Sequence, residues 1–270
     1  MKDIKLIVMD IDGTILGKGH EVTSKTLEAL QMARSKNVKI CLATGRHFYR
    51  TKKIAETILS DINQDYVICL NGAGLYKYNE KKSIDIIEEK VFTVEEFQWI
   101  YNEAKKLKLN CWSYDKQEKT AHVIKRSFFT MFLNKIANRK SVVFKKDTKN
   151  IAFKILANGK SKSISKLKKI LRERKFRIYD WSYSDASKRI EISPKGVNKA
   201  YAVKKIAELE NISKDNIMFF GDGDNDKELL GWCKYGVAMG NAHEEVAKNA
   251  SYKTLKNTED GVAHFINKNI

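Results

Sequence analysis

The sequence holds no long uncharged apolar run; every strongly apolar stretch is strand-sized, which excludes a transmembrane helix. Its four cysteines, Cys41, Cys69, Cys111 and Cys233, stand far apart and make no CxxC pair. Two of them lie in apolar strand-like runs, so they read as small buried hydrophobes in a reducing compartment. The five histidines form no HxxxH or HExxH pattern, and a zinc site is not expected. No RNP, KH or zinc-finger pattern supports specific nucleic-acid recognition. Residues 1–7 enter almost directly into a charged, strand-like pattern without the layout of a signal peptide, so a cytoplasmic location is the expectation. Internal repeats, linkers and low-complexity tracts are also missing.

What is present is a 270-residue chain, 43% hydrophobic, enough for a sizeable core in one large domain or two smaller ones. Its net charge of +18 is unevenly spread. Residues 81–189 carry 28 basic and 12 acidic side chains, a net +16, whereas the rest is nearly neutral. This lopsidedness suggests an inserted domain with its own surface chemistry. A basic surface attracts phosphorylated metabolites or nucleic acid; a merely solvated lysine-rich face has the same composition.

Hydrophobic patterning predicts strands over 4–9, 38–43 and 66–70, with helices over 24–35 and 47–59 between them. Thr23 or Ser24 is placed to cap the first helix. This βαβαβ opening argues for a Rossmann-like parallel sheet. The rhythm then changes. A hairpin over 75–78 and 84–88 precedes a helix over 94–107, strands over 110–114 and 121–124, and a helix over 128–137. A strand over 151–156, a helix over 163–175 and strands over 176–181 and 189–192 complete this α+β stretch. After Pro194-Lys195-Gly196 the βα alternation returns, with helices over 197–210, 224–231 and 243–249 and strands over 216–220 and 235–238. The expected organisation is a core of residues 1–80 and 191–270 interrupted by an inserted basic α+β domain over 81–190.

In parallel α/β sheets ligands bind beyond the carboxyl ends of the strands. Three predicted strands end in polar clusters: Asp10-Ile11-Asp12-Gly13-Thr14, Ala43-Thr44-Gly45-Arg46, and Gly221-Asp222-Gly223-Asp224-Asn225-Asp226. Five carboxylates gathered in one crevice repel one another without a cation, and oxygen-only ligands beside small glycines suit Mg²⁺. Taken singly, Asp10 and Asp12 fit a turn, and Thr44 fits a helix cap. The stretch Asp222–Asp226 matches the start of a calcium-binding helix–loop–helix loop. However, Lys227 stands where that loop needs Gly and Cys233 where it needs Glu.

Taken together, the clusters resemble the haloacid dehalogenase (HAD) superfamily. Asp10-Ile-Asp-Gly-Thr14 is similar to its DxDGT signature, Ala43-Thr-Gly-Arg46 to its second motif, Gly196-Val-Asn-Lys199 to its third and Gly221–Asp226 to its fourth. Asn71-Gly-Ala73, Met239-Gly-Asn-Ala242 and Glu259-Asp-Gly-Val262 resemble the Cof-like, type IIB branch, which carries a C2B cap between motifs two and three. Ala200 and Lys227 depart from the usual pattern without touching a catalytic atom.

The resemblance implies a Mg²⁺-dependent phosphatase of small phosphorylated metabolites, sugar phosphates among them. Asp10 is then the nucleophile that forms an aspartyl-phosphate, and Asp12 the acid and base. The metal falls to Asp10, Asp222 and the Asp12 backbone carbonyl, with Asp226 close by. Thr44, the Gly45 amide and Lys199 would hold the phosphate. Asn225 would contact phosphate or a metal ligand, and Arg46 and Asn71 would touch substrate or fix the loops. The cap aromatics Trp112, Tyr114, Trp181 and Tyr183 are candidate substrate contacts. Two other readings stay open: a phosphomutase using the same intermediate, and a nucleic-acid-binding protein using the basic insertion.

Overall fold

The computed structural model describes residues 3–115, 119–125, 132, 134–136, 138–145, 148, 152–180 and 188–270. Contacts divide the chain into two compact units, Met1–Glu89 with Asn198–Ile270, and Lys90–Val197. In the first unit the strands, numbered along the whole chain, are β1 (Leu6–Met9), β2 (Lys39–Ala43), β3 (Tyr66–Cys69), β4 (Gly74–Tyr78), β5 (Ile84–Glu89), β12 (Ile217–Gly221), β13 (Tyr235–Ala238) and β14 (Tyr252–Lys253). They form one sheet in the order β14-β13-β12-β1-β2-β3-β4-β5. All four residues of β1 are fully buried, because this central strand is covered on both faces. It runs parallel to β2 on one side and β12 on the other. The chain therefore builds outward from β1 in one direction and later in the other, which makes the β1/β12 junction the switch point where a crevice opens beyond the strand ends.

Helix α1 (Ser24–Ser35) is capped by Thr23, whose Oγ1 accepts the Thr26 N–H at 3.2 Å. The helix predicted over 47–59 is instead two, α2 (Phe48–Thr57) and α3 (Ser60–Asn63), because Leu59 between them adopts a left-handed φ of 62°. The hairpin of β4 and β5 stays whole and extends the core sheet by an antiparallel ladder, so residues 81–89 belong to the first unit. After the insertion come α6 (Lys199–Leu209), α7 (Lys227–Trp232), α8 (Glu244–Ala247) and α9 (Gly261–Asn269). Ala202, Val203 and Ile206 of α6 and Leu229 and Leu230 of α7 bury against Leu6, Val8, Cys41, Ala43 and Phe219 of the sheet. The pattern did not predict β14 or α9. The former is two residues long, and the latter starts from Asp260 in a left-handed conformation.

Among the described residues, the second unit carries α4 (Val94–Lys106) and α5 (Ser161–Glu173) on a six-stranded sheet. Its strands are β6 (Asn110–Tyr114), β7 (Thr120–Val123), β8 (Lys140–Val143), β9 (Ile155–Asn158), β10 (Arg177–Asp180) and β11 (Arg189–Ser193), in the order β10-β11-β9-β6-β7-β8. Thr93 and Glu96 form a reciprocal capping box at the start of α4. Phe97, Ile100 and Tyr101 of α4, Ile164, Leu167 and Leu171 of α5, and Cys111, Ile155, Ala157, Ile190 and Ile192 of the sheet make this unit's own core. Strand β9 lies further along the chain than the predicted 151–156, and β8 was not expected from its short, lysine-led sequence. The fold is thus an α/β core with a mixed sheet, interrupted by an α+β subdomain. Among the described residues no helix is long and apolar enough to cross a membrane.

Candidate active site

The residues that end β1 and β12 face the switch-point crevice. After Met9 the chain makes a wide turn over Ile11–Ile15, closed by Ile15 N–H to Asp10 C=O at 3.3 Å and Leu16 N–H to Ile11 C=O at 3.2 Å. Gly13 sits in it at φ 78°, and a Cβ there would lie 2.2 Å from Asp222 Oδ2. Only glycine lets the two loops meet this closely.

Asp10, Asp222 and Asp226 each present a carboxylate oxygen within 4.8 Å of the others. Lys199, at the first position of α6, is completely buried and donates to Asp10 Oδ1 at 2.5 Å and Asp226 Oδ1 at 2.7 Å. Its place follows from two local features. Asn198 caps α6 by accepting the Tyr201 N–H at 2.6 Å. Gly72, at φ 100°, lets the loop after β3 close on Asn198, whose carbonyl would be 2.1 Å from any Cβ. The other oxygen of Asp226 accepts the Asp222 and Gly223 amides at 3.0 and 2.9 Å. Asp226 therefore organises its own loop as well as adding charge.

One buried ammonium does not balance three carboxylates. Burial pushes the Asp10 carboxyl up to about 8, against the pull of Lys199 and with the help of Asp226 and Asp222. Burial and the Asp226 charge push Asp222 up to about 7. Burial alone would lower Lys199, but Asp10 and Asp226 outweigh it and raise the lysine above its usual range. Oxygen-only donors with surplus negative charge fit a small hard cation, Mg²⁺.

Of the five carboxylates expected in the crevice, two have basic partners of their own. The Asp12 side chain turns to Arg46, whose Nε donates to its Oδ2 at 2.7 Å and whose Nη2 donates to its Oδ1. Asp224 pairs with Lys227 at 2.7 Å. Lys227, noted as a departure from the family pattern, thereby holds the fifth carboxylate. Thr44 is buried at the end of β2; its Oγ1 accepts the Arg46 N–H at 3.1 Å and its carbonyl accepts the Asn71 N–H at 2.9 Å. It caps no helix, since the residue before α2 is His47. Asn225 Nδ2 donates to Asn71 Oδ1 at 2.8 Å, and that oxygen would lie 3.0 Å from a Cβ on Gly45. The second motif, Asn71 and Asn225 thus meet. Trp112 and Tyr114 are half-buried on the face of β6 opposite Cys111 and Ser113, with the Arg139 guanidinium 4.2 Å over the Tyr114 ring. Trp181 and Tyr183 lie outside the described residues.

One site residue received no role from the sequence. Asn241 Nδ2 donates to Asp222 Oδ2 at 3.1 Å and to the Gly13 carbonyl at 2.9 Å. Its Oδ1 accepts the Asn257 N–H at 3.0 Å. The only available signal was its place in the Met239–Ala242 segment.

A family model of haloacid dehalogenase-like hydrolases matches residues 7–266. The chain is 29% identical to "Putative phosphatase YxeH" of Bacillus subtilis over 98% of its own length and 97% of that protein's. It is 27% identical to the Bacillus subtilis "5-amino-6-(5-phospho-D-ribitylamino)uracil phosphatase YcsE", covering 98% and 95% of the two chains. The crystal structure of a haloacid dehalogenase-like hydrolase from Bacteroides thetaiotaomicron superposes with a TM-score of 0.78 at 25% identity, covering 99% of this chain and all of that one. A match along nearly the whole chain, with the carboxylate cluster at the expected strand ends, means that this chain belongs to the haloacid dehalogenase-like hydrolases and is a phosphoric monoester hydrolase of their Cof-like, type IIB fold.

Proposed function

We propose that the enzyme hydrolyses small phosphorylated metabolites by passing the phosphoryl group through Asp10. The observation that carries this reading is the buried Asp10 carboxylate at the β1/β12 switch point, held by Lys199 on one side and facing Asp222 on the other. The name of the relative YcsE, a phosphatase of a phosphorylated ribityl compound, supports the substrate class.

Asp10, Asp222 and the Asp12 carbonyl would hold Mg²⁺, with Asp226 beside them, and the bound ion supplies the positive charge that lets an anionic carboxylate meet an anionic phosphate. One Asp10 oxygen attacks phosphorus as the bond to the leaving oxygen breaks, and Asp12 gives that oxygen a proton. Asp12 then takes a proton from water as the water oxygen displaces Asp10 from phosphorus. Lys199 adds fixed charge beside the nucleophile. Thr44, whose hydroxyl hydrogen is left for a further acceptor, and the Gly45 amide cradle the phosphate oxygens, with the Asn71–Asn225 pair holding that loop.

A metabolite panel assayed for phosphate release with Mg²⁺ and with EDTA tests this reading. Turnover is expected with Mg²⁺ and not with EDTA, and Asp10→Asn is expected to lose about 10⁴-fold or more. BeF₃⁻ trapping should place the modified carboxylate at Asp10. Full turnover without metal, or a label on another residue, overturns it.

A further inference from the structure

Arg46 has an anchored backbone and a side chain that reaches another loop. Its N–H donates to Thr44 Oγ1 at 3.1 Å, and its carbonyl accepts the Leu70 N–H at 2.9 Å. From this base the guanidinium presents one edge, Nε and Nη2, to both oxygens of Asp12. The Asp12 side chain is 56% exposed and that of Arg46 30%. An ion pair this open to water adds little to stability. What a side-on fork does supply is geometry, since two parallel N–H···O bonds set both the plane and the direction of a carboxylate. Without them an exposed aspartate on a turn exchanges among its rotamers.

We propose that Arg46 is a positioning residue for Asp12. It orients the carboxylate that exchanges protons with the leaving oxygen and with water, and this orientation, more than contact with the phosphate, is its contribution to the reaction. The inference rests on the role given to Asp12 above. In the first half-reaction the Asp10–phosphorus bond forms, the phosphorus–leaving-oxygen bond breaks, and the proton moves from Asp12 to that oxygen. A weakly basic phenolate departs without the proton, whereas a more basic one depends on it.

The test is Arg46→Lys, which keeps the positive charge and removes the fork. First-turnover rates are measured with a series of aryl phosphates whose phenols span pKa values of about 7 to about 10. The expected result is a rate within about twofold of wild type for the best leaving group, falling to about tenfold below it for the poorest, a part of the 10²–10⁴ that proton transfer contributes. KM should shift by less than about twofold throughout, and an unchanged melting temperature separates this from unfolding. An equal loss across the series, a change confined to KM, or no change at all overturns the proposal. BeF₃⁻ trapping of wild type separates the two levels. If Asp10 is not labelled, the underlying reading fails; if it is labelled and the losses are equal, only the role of Arg46 fails.

Discussion

Asp10 and Asp12 are two residues apart, yet their surroundings are opposite. Asp10 is buried against Lys199 and two further carboxylates, while Asp12 lies out in water against Arg46. The wide turn after β1 makes this difference by sending successive side chains to different stations. The DxDGT pattern made the pair visible, but the partner of each came from residues distant in the chain. Asn241 is the clearest case. Both its N–H groups and its carbonyl are used, so its amide has one orientation, and that orientation fixes the Asp222 carboxylate. Partners that orient a metal ligand are worth about 10–100-fold in metal affinity. Asn241→Ala is therefore expected to weaken Mg²⁺ binding about tenfold, read by calorimetry on the enzyme without substrate. An unchanged affinity would reduce Asn241 to a loop staple.

At the scale of elements, the catalytic edge of the sheet is made of tight loops, and the opposite edge is tied by ion pairs. Glu210 ends α6 there. It accepts from the Tyr66 hydroxyl of β3 at 2.6 Å and from Lys77 of β4 at 3.1 Å, and pairs with Lys39 of β2 at 3.1 Å. Partial burial alone would raise this carboxyl, but bonds from Tyr66, Lys39 and Lys77 win and lower it to about 2. An unfolded glutamate titrates near about 4.3. The folded form thus binds its proton less readily, so Glu210 stabilises the fold fully above about pH 4.3 and loses that contribution as pH falls through about 2. Glu210→Gln should melt below wild type at pH 6, and the gap should close between pH 4 and pH 2. A gap independent of pH would mean that the cluster acts through packing alone. None of this was legible beforehand, because the four residues are brought together only when β2, β3, β4 and α6 align.

At the scale of the whole molecule, charge and chemistry are divided between different stretches of chain. The acidic cluster lies in the nearly neutral core, and the net +16 lies in residues 81–189. On α5, Lys166 and Lys169 are exposed, whereas Lys168 is already paired with Asp180. A long-range positive field raises the encounter rate of anionic esters and is screened over about 10 Å at 0.1 M salt. We expect kcat/KM to fall with ionic strength while kcat stays level, and expect Lys166→Glu with Lys169→Glu to flatten that dependence. Parallel salt titrations of the two proteins would instead mark these lysines as a solvated face.

The sequence by itself determined the kind of fold and the kind of chemistry. Buried parallel strands need continuous apolar runs, loops at their ends carry ligands, and Asp10, Thr44 and Asp222 stand at those ends, with Lys199 in the third motif between them, in an order that few unrelated chains would share. Glycines at sites of close approach were likewise visible as letters, though not the atoms they make room for. Tertiary structure alone decided which basic group each carboxylate meets, because pairing depends on reach across loops. Arg46 takes Asp12, Lys227 takes Asp224, and Lys199 is left between Asp10 and Asp226. It also decided where the two units divide. Hydrogen-bonded ladders, not composition, keep β5 with the core sheet and β11 with the inserted one.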